Sequence, residues 1–228
     1  MKKINVAVDG TSSSGKSCMA RTLAEHSGLT YIDSGAMYRA ITLFCLNNGL
    51  IHDGKVDEDT LSKQINDISI SFRKNDKGLQ DTYLNGVNVE KDIRGLRVSD
   101  NVSIVAAIPF VRHAMVAQQQ AMGKERGVVM DGRDIGTTVF PDAEIKVFVT
   151  CSAHERAMRR FRELQAKGDT SATFEQFLAN VQMRDKIDST RKESPLRKAD
   201  DAIELDSTHL QLHEQSQWLI DLYDNYQE

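Results

Sequence analysis

The chain has 228 residues, 40% hydrophobic and 27% charged, with a formal net charge of −4. That length and balance fit one ordinary packed domain with small insertions. They argue against a general nucleic-acid binder, which would carry a basic surplus. No apolar run approaches membrane-spanning length, and "MKKINVAVDG" enters a strand pattern without the apolar stretch of a signal peptide. Cys18, Cys45 and Cys151 are widely spaced with no CxxC pair. Reduced thiols, a cytoplasmic location and no zinc site are expected.

In chain order, "INVAVD" (residues 4–9) reads as a buried strand and "KSCMARTLAEHSG" as a helix stopped at Gly28. "LTYID" reads as a second strand. "GAMYRAITLFCLNNG" follows as a helix ending near Gly49, with Ser34 its expected N-cap. From about 52 to 101 the pattern changes. "ISISFR" alternates, and "LQDTYLNGVNV" contains the hairpin signal Asn85-Gly86. "SDNVSIVAAIPFVRHAMVAQQQAMG" resumes helix, interrupted at Pro109. Strands "VVMDG" and "EIKVFV" follow. A polar stretch over 153–200 reads as helical around a flap, "QAKGDTSATF", before a last strand "AIELD" and a C-terminal helix. Repeated strand–helix units predict an α/β fold with a mainly parallel sheet and helices on both faces.

"GTSSSGKS" (Gly10, Thr11, Ser12, Ser13, Ser14, Gly15, Lys16, Ser17) satisfies G-x-x-x-x-G-K-[ST] between a strand and a helix, with Cys18 next. Such a loop cradles phosphates with backbone N–H groups, a lysine charge and a hydroxyl for Mg²⁺. A serine-rich turn capping a helix is the bland alternative, and it leaves the lysine unexplained. The base-reading N-K-x-D of GTPases is absent, and "DIRG" at 92–95 lies in the hairpin region, where D-x-x-G is read as chance.

Asp33 ends the second strand and Arg39 lies beyond it on the helix. "DGRD" places Asp131, Arg133 and Asp134 at the end of another buried strand. That costly cluster makes sense facing a metal or a charged ligand. Asp131 and Asp33 are the candidate metal carboxylates beside Ser17, and Arg133 suits a phosphate. Arg156 and Arg160 share a helix face, as do Arg184, Asp188 and Arg191 at i, i+4 and i+7. A solvated surface is the default for each stripe, but two stripes beside a phosphate loop favour several phosphates.

At "VDGTSSSGKS", "YIDSGAMYRA", "SIVAAIPFVR", "DGRDIGTTVFPDAEIKVFVT" and "RDKIDSTRKESPL" the chain resembles the bacterial cytidylate kinases of the nucleoside monophosphate kinase superfamily. The resemblance spans nearly the whole length. It implies a P-loop core (1–48, 103–153, 172–228), a monophosphate-binding insert (49–102) and a short lid (154–171). It further implies phosphoryl transfer from ATP with Mg²⁺ to CMP and dCMP by a monomer with no polymer or membrane partner. It places Ser34, Ser103, Arg112 and Asp134 around the cytosine and acceptor pocket. Arg184 and Asp188 would contact the ribose, Arg39, Arg133 and Arg191 the acceptor phosphate, and Arg156 and Arg160 the lid over ATP. A kinase of UMP or AMP, and a nucleotide-dependent regulatory ATPase, are the competing readings.

Overall fold

A computed structural model describes residues 2–76, 80–166, 168 and 172–228. The elements in order are β1 (Asn5–Gly10), α1 (Lys16–Ser27), β2 (Thr30–Asp33), α2 (Ser34–Asn47), β3 (Ile51–His52), β4 (Lys55–Val56), α3 (Glu58–Gln64), β5 (Ile70–Lys74), β6 (Gln80–Leu84), β7 (Val87–Asn88), α4 (Leu96–Ala106), α5 (Pro109–Met122), β8 (Val128–Gly132), β9 (Ile145–Thr150), α6 (Ala153–Ala166), α7 (Phe174–Thr190), β10 (Ile203–Asp206) and α8 (Leu212–Gln227). Among the described residues the chain separates into two compact units, Met1–Ile32 with Met122–Glu228, and Asp33–Ala121.

The first unit holds a five-stranded sheet in the order β10-β9-β1-β8-β2. β1 runs parallel to both β8 and β9, and β9 runs parallel to β10. β1 is buried along its whole length, which explains its apolar run without alternation. Val6, Val8, Val129, Val147 and Val149 pack against Met19 and Leu23 of α1 and Leu219 and Tyr223 of α8. α1 stops where Gly28 adopts φ 75, as its glycine predicts. The polar stretch is helical only to Thr190, and Arg191 has left the helix at φ −61, ψ 146. Of the expected flap, Lys167, Asp169, Thr170 and Ser171 lie outside the described residues; the expected lid shares those positions.

The second unit contains the antiparallel β5-β6-β7 sheet, and Asn85 and Gly86 turn between β6 and β7 with φ 48 and 82. Those paired positive angles suit a tight hairpin loop, as the Asn-Gly signal implies. Pro109 opens α5 rather than kinking a continuous helix. The N-cap of α2 is Asp33, not Ser34. Its Oδ1 accepts from the Ala36 N–H at 2.8 Å. A carboxylate outcompetes a hydroxyl for this role because its charge meets the helix N-terminal dipole.

Asp33 also gathers arginines. Its Oδ2 lies 2.8 Å from Arg39 and 2.9 Å from Arg94, and Arg94 in turn pairs with Glu90. Burial by itself would raise the Asp33 carboxyl, but Arg39 and Arg94 overcome it and hold the group at about 2. A depressed carboxyl stabilises the fold above its unfolded value of 3.8, and that contribution is lost as pH falls toward about 2. Asp33→Asn is therefore expected to be less stable than wild type at neutral pH and to show a flatter stability profile across that window. Denaturant melts at stepped pH check this, and an Asn variant whose stability falls as steeply as wild type refutes it.

Candidate active site

The loop between β1 and α1 is built by backbone geometry. Gly10 has φ 143, and a Cβ there would stand 2.1 Å from the Val149 carbonyl oxygen. Gly15 has φ 101, and its Cβ would stand 2.0 Å from Gln215 Oε1. Both positions thus demand glycine for conformation and for room. Ser13 takes φ 61 between them. The loop is further tied by Ser14 Oγ donating to the Thr11 carbonyl (3.0 Å) and by Ser207 Oγ donating to the Ser14 carbonyl (2.8 Å). Among the described residues, the buried Thr11 and Ser12 hydroxyl oxygens have no hydrogen-bond partner.

Lys16 lies under this loop, 4% exposed. Its ammonium donates to the Thr11 carbonyl at 2.5 Å and lies 3.4 Å from Ser14 Oγ. Burial, and then the neighbouring Arg133 charge, push it down to about 7. Arriving phosphate oxygens would reverse that penalty, since they replace neutral partners with anionic ones.

Ser17 Oγ donates to Asp131 Oδ2 at 2.7 Å, and the Tyr31 hydroxyl donates to Asp131 Oδ1 at 2.9 Å. The adjacency follows from pairing of β1 with β8, which brings Asp131 level with Val8. The Ser17 hydroxyl and the Asp131 carboxylate form a pair of hard oxygen donors, the chemistry that suits Mg²⁺ bound partly through water. Asp33, the other metal candidate, belongs to the second unit, where it serves the α2 cap and two arginines.

After β8 the chain turns through Arg133 and Asp134 into a π-helical turn, Ile135–Val139. Arg133 Nε donates to Asp188 Oδ2 at 3.0 Å. Arg191 sits 3.8 Å from Asp188 and 3.6 Å from Asp134. The four side chains make one alternating cluster in which every charge faces its opposite. Burial works against the Asp188 charge, but Arg133 and Arg191 hold its carboxyl below the ordinary range. Arg184 lies one turn earlier on α7 and is half-buried.

The arginines of α6 divide. Arg156 is 2% exposed. It donates to both Asp185 oxygens (3.0 and 2.5 Å) and to the carbonyls of Cys151 and Ser12 (2.9 and 3.3 Å). Arg160 donates to Asn180 Oδ1 at 2.9 Å and stacks over Phe177. It opens on a cleft of about 760 Å³ lined by Ser13 to Cys18, by Glu155, Arg159 and Glu163 of α6, and by Thr208 to Leu212. Ser34, Arg39, Ser103 and Arg112 lie in the second unit. Ser34 and Arg39 begin α2, and Arg112 is 1% exposed, donates to the Ala106 carbonyl at 3.1 Å and stacks on Tyr38.

Sequence reasoning passed over several members. Arg159 donates to the carbonyls of Ser207 (2.7 Å) and Leu210 (3.5 Å) and pairs with Glu155, so it fixes the 207–212 wall of the cleft. Gln215 Nε2 donates to the Leu210 carbonyl at 3.0 Å while its Oε1 packs on Gly15. Neither residue belongs to a spacing motif. Asp9 is 4% exposed on β1. It did carry a signal, a lone acid at the end of an apolar strand.

The sequence profile of the cytidylate kinase family matches residues 6–225. A cytidylate kinase of Parabacteroides distasonis is 60% identical over 98% of this chain and 97% of its own. Those of Bacteroides fragilis (strain ATCC 25285) and Porphyromonas gingivalis are 59% identical over 98% and 97%, and 55% identical over 96% and 96%. A glycine-bounded loop after β1 and an arginine–aspartate cluster one strand away are thus joined to near-complete sequence coverage, and the chain belongs to the cytidylate kinase family.

Proposed function

We propose that this chain transfers the γ-phosphoryl group of ATP to CMP, and also to dCMP, giving ADP and the corresponding diphosphate. What carries the reading is the buried Arg133–Asp188–Arg191–Asp134 cluster after β8, the strand that pairs with the strand leading into the phosphate loop. Two guanidiniums suit a monophosphate, and a carboxylate among them suits a base edge. ATP would lie in the cleft, its phosphates on Gly10 to Cys18. Mg²⁺, held by Ser17 and Asp131, would neutralise charge on the phosphates. We further propose a cytoplasmic monomer acting on small molecules alone; the core, the 49–102 insert and the 154–171 lid remain the proposed division, although the compact second unit runs more widely, over Asp33–Ala121.

No side chain need be a nucleophile. An oxygen of the acceptor phosphate attacks the γ-phosphorus in line, and the bond to the bridging β-oxygen breaks. The protein aligns both partners and offsets charge on the transferring group. Lys16 meets the β/γ oxygens. Arg133 and Arg191 take the acceptor phosphate, with Asp188 holding both forks in place beforehand and contacting the ribose with Arg184. Arg160 is poised beside the cleft to follow the γ-phosphate. Arg156, tied to the Ser12 carbonyl, supports the loop. Arg39 is proposed as a phosphate ligand, and Ser34, Ser103 and Arg112 as ligands of the base. Asp134 would accept from the exocyclic amino group of cytosine, which uracil replaces with a carbonyl oxygen.

The direct test is ADP release by purified protein with ATP and each of CMP, dCMP, UMP and AMP. Release that depends on CMP supports the reading. Acceptor-independent hydrolysis, or a preference for AMP, overturns it.

Two substitutions sharpen this. Lys16→Ala is expected to lower kcat by at least ~10³-fold, in keeping with the electrostatic weight of such groups, while leaving the melting temperature near wild type. Arg133→Lys keeps the charge but loses the fork, so kcat/KM for CMP should fall by ~10²-fold or more with ATP affinity retained. Steady-state kinetics and nucleotide titration separate these outcomes, and near-wild-type turnover in either folded variant removes that residue from the mechanism.

A further inference from the structure

The turn that carries Asp134 is capped by the wrong aspartate. Asp134 occupies the N-cap position of the Ile135–Val139 turn, with φ −147 and ψ 24, yet its side chain makes no capping hydrogen bond. Aspartate at an N-cap ordinarily gives its carboxylate to the backbone N–H two or three residues on, here Gly136 or Thr137, which otherwise lacks a partner. Later N–H groups of this turn are satisfied internally. Thr138 and Val139 donate to the Asp134 carbonyl at 2.9 and 3.2 Å, and Phe140 donates to the Ile135 carbonyl at 2.6 Å. The first two are satisfied from another strand. Ile135 N–H donates to Asp9 Oδ1 at 2.8 Å and Gly136 N–H to Asp9 Oδ2 at 2.7 Å.

Asp9 has little freedom to do anything else. It pairs in register with Gly132 on one side and Phe148 on the other, and it is 4% exposed. Burying a carboxylate in a sheet centre is costly, and charge-assisted bonds from two N–H groups offset part of that cost. Burial still pushes the group up to about 7, so the arrangement carries a standing electrostatic penalty. Capping by Asp134 would have needed no second buried acid. What the costlier solution secures is the direction of the Asp134 carboxylate, which lies 3.6 Å from Arg191 instead of folded back onto its own turn.

We propose that Asp9 is a positioning residue for acceptor selectivity: by capping the Ile135–Gly136 amides in place of Asp134, it keeps the Asp134 carboxylate turned toward the acceptor base. The inference rests on the reading that Asp134 meets the base. Without the Asp9 carboxylate, the Gly136 amide, two residues on, is left for the Asp134 side chain to take. The Asp134 carboxylate would then be drawn toward the Gly136 amide, and the base would lose its partner.

The test is a mutant cycle of Asp9→Ala, Asp134→Asn and the double variant. The readouts are kcat/KM for CMP and for UMP, KM for ATP and the melting temperature. Asp9→Ala is expected to lower kcat/KM for CMP by about tenfold or more and to narrow the preference for CMP over UMP, with KM for ATP changed by less than about threefold. In the Asp134→Asn background the same substitution should add little to the loss of selectivity, because both changes remove one function. Asp9→Asn keeps one acceptor oxygen and should fall between wild type and Asp9→Ala. It also stands in with the same selectivity readout if the alanine variant does not fold. Equal losses for CMP and UMP, or a selectivity loss that adds fully to that of Asp134→Asn, overturn the proposal and leave Asp9 a structural residue. If Asp134→Asn narrows selectivity and the Asp9 variants do not, this inference fails alone. If Asp134→Asn leaves selectivity intact, the base-reading assignment fails and takes this inference with it.

Discussion

Charge buried at the carboxyl ends of β1 and β8 is the constraint on which the site depends. A parallel sheet delivers its strand ends to one edge, and here the neighbouring strands β1 and β8 carry Asp9 and Asp131 one residue before their ends, both 4% exposed, with Lys16 beside them. Each charge must find a partner in a weakly screened setting. Asp9 uses two backbone N–H groups, Asp131 uses two hydroxyls, and Lys16 uses a carbonyl and a hydroxyl. None of these pairings is a direct ion pair. Burial accordingly moves Lys16 down and Asp9 up, each to about 7. Lys16 therefore sits where burial disfavours its charge, and anionic oxygens arriving beside it would offset that penalty.

Much of this arrangement was legible in the sequence because its parts are local. G-x-x-x-x-G-K-S after an apolar run specifies strand, loop and helix together, and the loop's two glycines meet the Val149 carbonyl and Gln215 as that role requires. Asn85-Gly86 specified its turn through positive φ. Other parts could not be read. The cap of α2 depended on competition between adjacent residues, and Asp33 prevailed over Ser34 through charge. Arg94, in a "DIRG" that reads as chance, binds an aspartate 61 positions away. The i, i+4, i+7 pattern placed Arg191 on α7, but the helix ends at Thr190, and Arg191 instead reaches back to the Ser194 carbonyl while staying near Asp188. Periodicity finds a face and does not find where a helix stops.

The same limit explains why Asp9, Arg159 and Gln215 escaped notice. Each acts on backbone: on amides of the turn after Asp134, on carbonyls of Ser207 and Leu210, and on Leu210 again. A contact with backbone leaves no mark on the sequence of its partner. The signal, where one exists, is an expensive residue in an apolar setting, such as an aspartate closing a strand of valines and alanine. An unexplained buried charge is thus a better guide to hidden structure than any spacing rule.

Burial also separates the two lid arginines that the sequence could only pair. Arg156 and Arg160 are one turn apart on α6, and both fit the pattern of phosphate ligands. Arg156 is spent on Asp185 and on the carbonyls of Ser12 and Cys151, so redirecting it would strip partners from a nearly inaccessible guanidinium. Losing a partner inside a protein costs more than the bond itself is worth. Arg160 donates to Asn180 Oδ1, stacks over Phe177 and lines the cleft. Burial and the Ser12 carbonyl tie Arg156 to the loop itself, while Arg160, one turn on, faces the open side of the same loop, so one helix face serves two different surroundings.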